Sequence, residues 1–237
     1  MCRMMAVIAK DQIKQEWISP CEDLAVHGKT RSDMPEPGHH DGWGLVAYVR
    51  KDFPEYLERE PHSVTQDIGH FKKAAAAIQD TNAKAAMLHF RKISVGEPKI
   101  SNTHPFVYKE WSFCHNGTIF DSDKIPLKTL KPGGGTDSER FFLYLMENLD
   151  PANIEKSLGA VIWRIKSDFK YTSLTFLLSN GKSIYAYREC DPQYADYYTL
   201  YATTLNGSRI VASEPLSKIS SRWEAVPNGS LIELIAS

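Results

Sequence analysis

The chain lacks any uninterrupted apolar run near the roughly 20 residues that a membrane-spanning helix requires, so its 237 residues read as a soluble protein with no membrane partner. It also lacks a charge of one sign. Twenty-eight Lys and Arg against 29 Asp and Glu leave a net charge of −1, with basic residues spread along the chain, and this excludes the electrostatic footprint of a nucleic-acid binder. Cysteine is scarce: Cys2, Cys21, Cys114 and Cys190 match neither a zinc-ligand spacing nor a redox pair, and the last three are expected to be plain thiols. His39-His40-Asp41 has no Cys or His cluster beside it and reads as loop rather than metal site. No low-complexity linker and no solenoid-length repeat interrupts the sequence, so residues 1–237 are expected to form one domain. The amino-terminal stretch turns polar at Lys10 without a signal-peptide apolar core, and a cytoplasmic location is expected.

What is present is an ordinary globular composition, 42% hydrophobic and 24% charged, sufficient for a substantial core. Stretches rich in β-branched and aromatic residues predict strands near 4–9, 43–50, 85–90, 111–115, 172–179, 183–188, 198–203, 209–213 and 230–235. Apolar residues recurring at three and four predict helices over 67–80, 137–149 and 153–166, all in the middle of the chain. Pro, Gly and charge punctuation marks loops at 31–42, 94–105 and 121–136. The mixture fits a layered α+β architecture.

Four places carry residue types suited to chemistry. Cys2 follows Met1 directly, and removal of Met1 would leave a thiol beside a free α-amine, which titrates at about 7.7–8.0 when unperturbed, a nucleophile and a base on one residue. Taken alone, an incidental cysteine is the plainer reading. Trp111–Cys114 runs as a strand into His115-Asn116-Gly117; an Asn amide and a Gly N–H at a strand end are oxyanion-hole donors, although Asn-Gly taken alone reads first as a hairpin turn. Gly133-Gly134-Gly135-Thr136-Asp137-Ser138-Glu139 enters a helix with capping-box spacing at Thr136 and Glu139 and lacks the ending of a phosphate loop; Asp137 there serves the helix dipole as well as it would a ligand. Arg91 ends the apolar stretch Ala86–Phe90, where its fork suits either a surface ion pair or a substrate carboxylate.

Read together, Arg91-Lys92-Ile93-Ser94-Val95-Gly96-Glu97-Pro98, Asn102-Thr103-His104-Pro105, His115-Asn116-Gly117 and Thr136-Asp137-Ser138-Glu139, in that order behind Cys2, resemble the glutaminase domain of class II glutamine amidotransferases, within the N-terminal-nucleophile hydrolases. Asp41-Gly42-Trp43-Gly44-Leu45 and Ala212-Ser213-Glu214-Pro215-Leu216 look like the compact stand-alone members, so the resemblance spans nearly the whole chain. It implies a four-layer αββα sandwich with Cys2 on a strand facing a cleft between the sheets. It also implies Cys2 as nucleophile, Asn116 and Gly117 as oxyanion hole, Arg91 as clamp on the substrate α-carboxylate and Asp137 as acceptor of its α-ammonium. His104 would help shape the glutamine pocket and His115 would buttress the Asn-Gly turn. No metal and no cofactor is implied. The chain differs from the hexosamine-synthase form, which has Arg-Trp-Ala-Thr-His-Gly over Arg91–Gly96, so details of pocket and domain coupling do not carry over.

The expected activity is hydrolysis of the γ-amide of glutamine or of a γ-glutamyl compound through a Cys2 thioester. No fused synthase domain is expected in this polypeptide, so a synthase that consumes ammonia would be a separate partner. The alternatives are therefore a glutaminase subunit serving such a synthase, a free-standing γ-glutamyl amidohydrolase, and a catalytically silent binding or regulatory protein.

Overall fold

The computed structural model describes residues 2–33, 36, 38–50 and 53–237. Strand alternation organises it. Successive side chains of a strand point to opposite faces, so a strand buried on both sides feeds two cores. Along β1 (Arg3–Ile8), Met5 and Val7 join one core while Met4, Ala6 and Ile8 join another. β2 (Trp43–Tyr48) and β4 (Ala85–Phe90) divide the same way, with Trp43, Leu45, Ala47, Ala86, Leu88 and Phe90 on one side and Val46, Tyr48, Ala85 and Met87 on the other.

With β3 (Tyr56–Glu60), β9 (Tyr201–Leu205), β10 (Ser208–Ala212) and β11 (Glu224–Ala225), these strands form a seven-stranded antiparallel sheet in the order β11-β9-β10-β1-β4-β2-β3. A second antiparallel sheet, in the order β12-β8-β7-β6-β5, contains β5 (Phe106–Tyr108), β6 (Trp111–Asn116), β7 (Thr175–Ser179), β8 (Ile184–Arg188) and β12 (Ser230–Leu234). Cys114, Leu177, Ile184 and Ala186 meet Met4, Ala6, Val46 and Met87 between the sheets.

Helices close both outer faces. On the first sheet lie α1 (Gln15–Ile18), α2 (Glu22–His27) and α3 (Ile68–Asp80), whose Phe71, Ala74, Ala75 and Ile78 recur at three and four and bury against Trp43 and Phe90. On the second lie α4 (Asp137–Asn148) and α5 (Ile154–Asp168). There Phe113 of β6 stacks on Phe142 with ring centroids 5.2 Å apart, within a cluster that includes Phe141, Phe176 and Ile162. Each such buried side chain contributes about 1.5–3 kcal/mol. The layers are thus helix, sheet, sheet, helix, the αββα sandwich. No helix among the described residues is long and apolar enough to cross a membrane.

Three expectations need correction. Helices are not confined to the middle of the chain: α1 and α2 precede β2 and are too short for an apolar period to declare itself. β3, β5 and β11 were not anticipated; β3 reads Tyr-Leu-Glu-Arg-Glu, while the other two have three and two residues. The capping box at α4 is half made: Thr136 Oγ1 accepts from the Glu139 N–H at 3.2 Å, but the Glu139 carboxylate accepts from the N–H groups of Gly133 and Gly134, at 2.9 and 2.7 Å.

Candidate active site

Phase along the inner strands brings the singled-out residues together. Cys2 lies just before β1 in the phase of Met4 and Ala6, and Arg91 lies just after β4 in the phase of Ala85 and Met87. β1 and β4 are hydrogen-bonded neighbours that pair Arg3 with Phe90. Asn116 ends β6 of the facing sheet in the phase of Cys114. The Cys2 N–H donates to Asn116 Oδ1 at 3.0 Å, across the two sheets. Cys2 Sγ lies 3.8 Å from the carbonyl of Lys92, and Cys2 is 8% exposed.

Asn116 is fully buried, and its Nδ2 has no hydrogen-bond acceptor among the described residues. A buried donor left unmade costs about 1–3 kcal/mol, so the fold holds an unspent amide N–H beside the thiol. Asn116-Gly117 is not a hairpin turn: β6 pairs with β7 through Asn116↔Thr175, far along the chain. The glycine is required by crowding, because a Cβ at residue 117 would lie 1.9 Å from the carbonyl oxygen of Ser173 and 2.7 Å from His115 Nε2. His115 braces this end, with Nδ1 2.8 Å from Ser138 Oγ of α4 and Nε2 3.1 Å from the Ser173 oxygen.

Arg91 is buried, and its Nη1 and Nη2 donate to the carbonyls of Glu97 and Val95 at 3.0 and 2.9 Å, which leaves further guanidinium N–H groups for other acceptors. Its main chain is clamped by the preceding loop: Arg91 N–H donates to Gly42 O at 2.8 Å, Asp41 N–H to Arg91 O at 2.9 Å, and Ile93 N–H to Asp41 Oδ2 at 2.7 Å. Burial disfavours the Arg91 cation, while Cys2, Asp41 and Asp137 oppose that effect electrostatically. Asp137, at the start of α4, accepts from the Ile119 N–H at 2.8 Å. Burial pushes its carboxyl up to about 6, against hydrogen bonds that pull it down. A buried carboxylate with an elevated pKa is an anionic acceptor in search of a cation.

His104 lies under this site rather than open to it: its ring packs 4.1 Å from that of His89 and 4.4 Å from Phe106, and neither ring nitrogen has a partner among the described residues. Sequence reasoning gave no role to Asp41, His39 or His89. His89 Nε2 lies 3.2 Å from the carbonyl of His115, joining the two sheets beneath Cys2 and Asn116. His39 is fully buried with both nitrogens unpaired among the described residues, next to Gly38, whose carbonyl lies 3.5 Å from Lys92 Nζ. The phase of β4 would have exposed His89, whereas Asp41 and His39 arrive only through a loop closure. Two cavities open elsewhere, one of 550 Å³ lined by Phe120, Tyr171, Glu189 and Tyr194, and one of 390 Å³ lined by Lys29, Arg31, Tyr194 and Tyr197; Cys2 lines neither.

An αββα sandwich with a cysteine at the outset of an inner strand is the architecture of the N-terminal-nucleophile hydrolases. A glutamine aminotransferase class-II domain protein from Silicibacter pomeroyi shares this fold, with a TM-score of 0.66 at 19% identity over 98% of this chain and 95% of that one. The chain belongs to the class II glutamine amidotransferases, whose family model matches residues 1–202. Among its relatives, the uncharacterized protein MJ1515 of Methanocaldococcus jannaschii is 29% identical over 64% of this chain, which spans only 43% of that protein's length. The probable glutamine amidotransferase DUG3 of Saccharomyces cerevisiae is 23% identical over 99% of this chain and 82% of its own.

Proposed function

We propose that this protein is an amidohydrolase that cleaves the γ-amide of glutamine or of a γ-glutamyl compound through a thioester on Cys2. One observation carries the reading: the Cys2 nitrogen is bonded to Asn116 Oδ1 while the same side chain keeps an unspent Nδ2 donor. Once Met1, which lies outside the described residues, is removed, that nitrogen is an α-amine able to take the thiol proton. The sulfur attacks the γ-carbonyl carbon, and Asn116 Nδ2 and the Gly117 N–H receive the developing oxyanion, where one donor is worth about 2.7–4 kcal/mol. The α-amine returns its proton to the leaving nitrogen as the C–N bond breaks. Water then hydrolyses the thioester to a γ-carboxylate and the free thiol. Arg91 binds the substrate α-carboxylate and Asp137 its α-ammonium, while His104 shapes the pocket floor through His89.

Intact mass before and after incubation with 6-diazo-5-oxo-norleucine tests this. The expected result is protein without Met1 carrying a single adduct on Cys2, and a folded Cys2→Ala protein with neither adduct nor turnover. Retained Met1 without an adduct, or a Cys2→Ala protein that still hydrolyses glutamine, would overturn the reading. Turnover of γ-glutamyl amides at full rate without a partner marks the free-standing hydrolase; a slow basal rate on glutamine marks a subunit that awaits a synthase.

A further inference from the structure

At the far edge of the larger sheet, five side chains from an edge strand, the loop after it and the start of a helix converge away from Cys2. Glu58 and Glu60 lie two apart on edge strand β3, and His62 continues their phase; Asp67 and His70 open α3, three residues apart. His70 Nδ1 lies 3.0 Å from Asp67 Oδ2 and 3.8 Å from Glu60 Oε1, and His62 Nε2 lies 3.5 Å from Asp67 Oδ2. The donor atoms of Glu60, Asp67 and His70 all lie within 4.8 Å of one another. Ligands at about 2.0–2.1 Å around a tetrahedral zinc stand about 3.3 Å apart, so Glu60, Asp67 and His70 would close on an ion by small side-chain shifts, and His62, which faces Asp67 through Nε2 and Glu60 through Nδ1, would turn one nitrogen in as a fourth ligand.

Three features of the cluster fit a bound cation. Asp67 sits at the N-cap of α3, where an Asp ordinarily accepts from a first-turn N–H, yet its side chain makes no cap hydrogen bond and turns to the two imidazoles. His70 directs its other nitrogen, Nε2, to Glu58 Oε2 at 3.4 Å, the carboxylate-to-histidine relation that orients metal-bound imidazoles. Its ring is fixed edge-on against the buried Trp43 at 5.2 Å. Finally, among the described residues the carboxylates of Glu58, Glu60 and Asp67 ion-pair only with His62 and His70, so three negative charges meet with no Lys or Arg.

We propose that Glu60, His62, Asp67 and His70 bind one divalent transition-metal ion of the zinc type, with Glu58 orienting His70. Two imidazoles in the set disfavour Mg²⁺ and Ca²⁺, which prefer oxygen ligands. The ion would clip β3 to the start of α3, and the half-exposed side chains leave it a way in. This pattern escapes sequence inspection because the ligands alternate along a strand and then resume on a helix.

The test is titration calorimetry of the chelator-treated protein with ZnCl₂ and, separately, MgCl₂. One equivalent of Zn²⁺ should bind and Mg²⁺ should not. His70→Ala and His62→Ala should each weaken Zn²⁺ binding by more than the about 10- to 100-fold that losing an outer partner costs, and Glu58→Gln by about that amount. His62 is a partly exposed loop residue, so His62→Ala keeps the test open should His70→Ala fail to fold. No Zn²⁺ uptake, or uptake unaltered in His62→Ala, would overturn the proposal.

Discussion

Asp137 carries a conflict between stability and use. Its buried carboxyl, raised to about 6 chiefly by desolvation, stands above the ordinary value of 3.8. Between those two values the native state holds a proton that the unfolded chain has released, so this group lowers stability as pH rises from about 4 to 6 and leaves the protein weaker above 6. Asp137→Asn, which keeps an oxygen for the Ile119 N–H, is therefore expected to stabilise the protein by about 1–3 kcal/mol at pH 8, with a gain that fades toward pH 4. The same variant should raise KM for glutamine steeply. Urea melts at both pH values and steady-state kinetics check the two halves; a stabilised variant with unaltered KM would remove Asp137 from the ammonium site. The wild-type KM should likewise rise as pH falls through about 6.

At the scale of elements, the glycine run ahead of α4 shows how a feature can resemble one device and be another. The N–H groups of Gly133 and Gly134 donate to Glu139 and that of Gly135 to Asn102 Oδ1 at 2.8 Å, so a carboxylate and an amide of the chain itself fill the cradle that a phosphate would need. Glu139→Ala frees two of these donors and loosens the first turn of the helix that bears Asp137. A loss of about 1.5–3 kcal/mol is expected, together with faster hydrogen exchange over 133–136 and a raised KM at little altered kcat. Exchange unchanged at Gly133 and Gly134 would assign the cap elsewhere. Most elements were legible in the sequence because they bury an uninterrupted or periodic apolar face: β1, β4 and α3 stand where pattern puts them. β3 was hidden because its outward residues are the charges at the sheet edge, and α1 and α2 because four to six residues make too few turns to reveal a period. At the site, residues on regular elements could be read from type and phase, whereas Asp41 and His39 depend on where a loop returns.

Across the whole molecule the buried histidines set an acid limit. Burial holds His39 at about 2, His89 at about 3 and His115 at about 4, and pushes His104 well below its ordinary value. All four stay neutral in the fold while the unfolded chain takes protons near 6.5, so their contribution is intact above that pH and is lost as pH falls toward the folded values. His39, His89 and His115 each forfeit about 1.4 kcal/mol per pH unit below about 6.5, a large share of a domain's total stability of about 5–15 kcal/mol. Asp137 returns only part of this. The protein is expected to unfold between about pH 5 and 4, with up to four protons taken up, measured from urea midpoints against pH; a midpoint flat from pH 7 to 5 would contradict neutral burial.

The two-sided burial of β1 bears on engineering. A residue inserted between Cys2 and Arg3 would not merely lengthen the chain. It would rotate the thiol onto the helix-covered face, where Arg3 is held by Glu214 at 2.7 Å and lies over the Tyr197 ring. Insertions at this junction are thus quantised: two residues restore the parity but displace the sulfur by about 7 Å along the strand, and no inserted length returns it to Asn116.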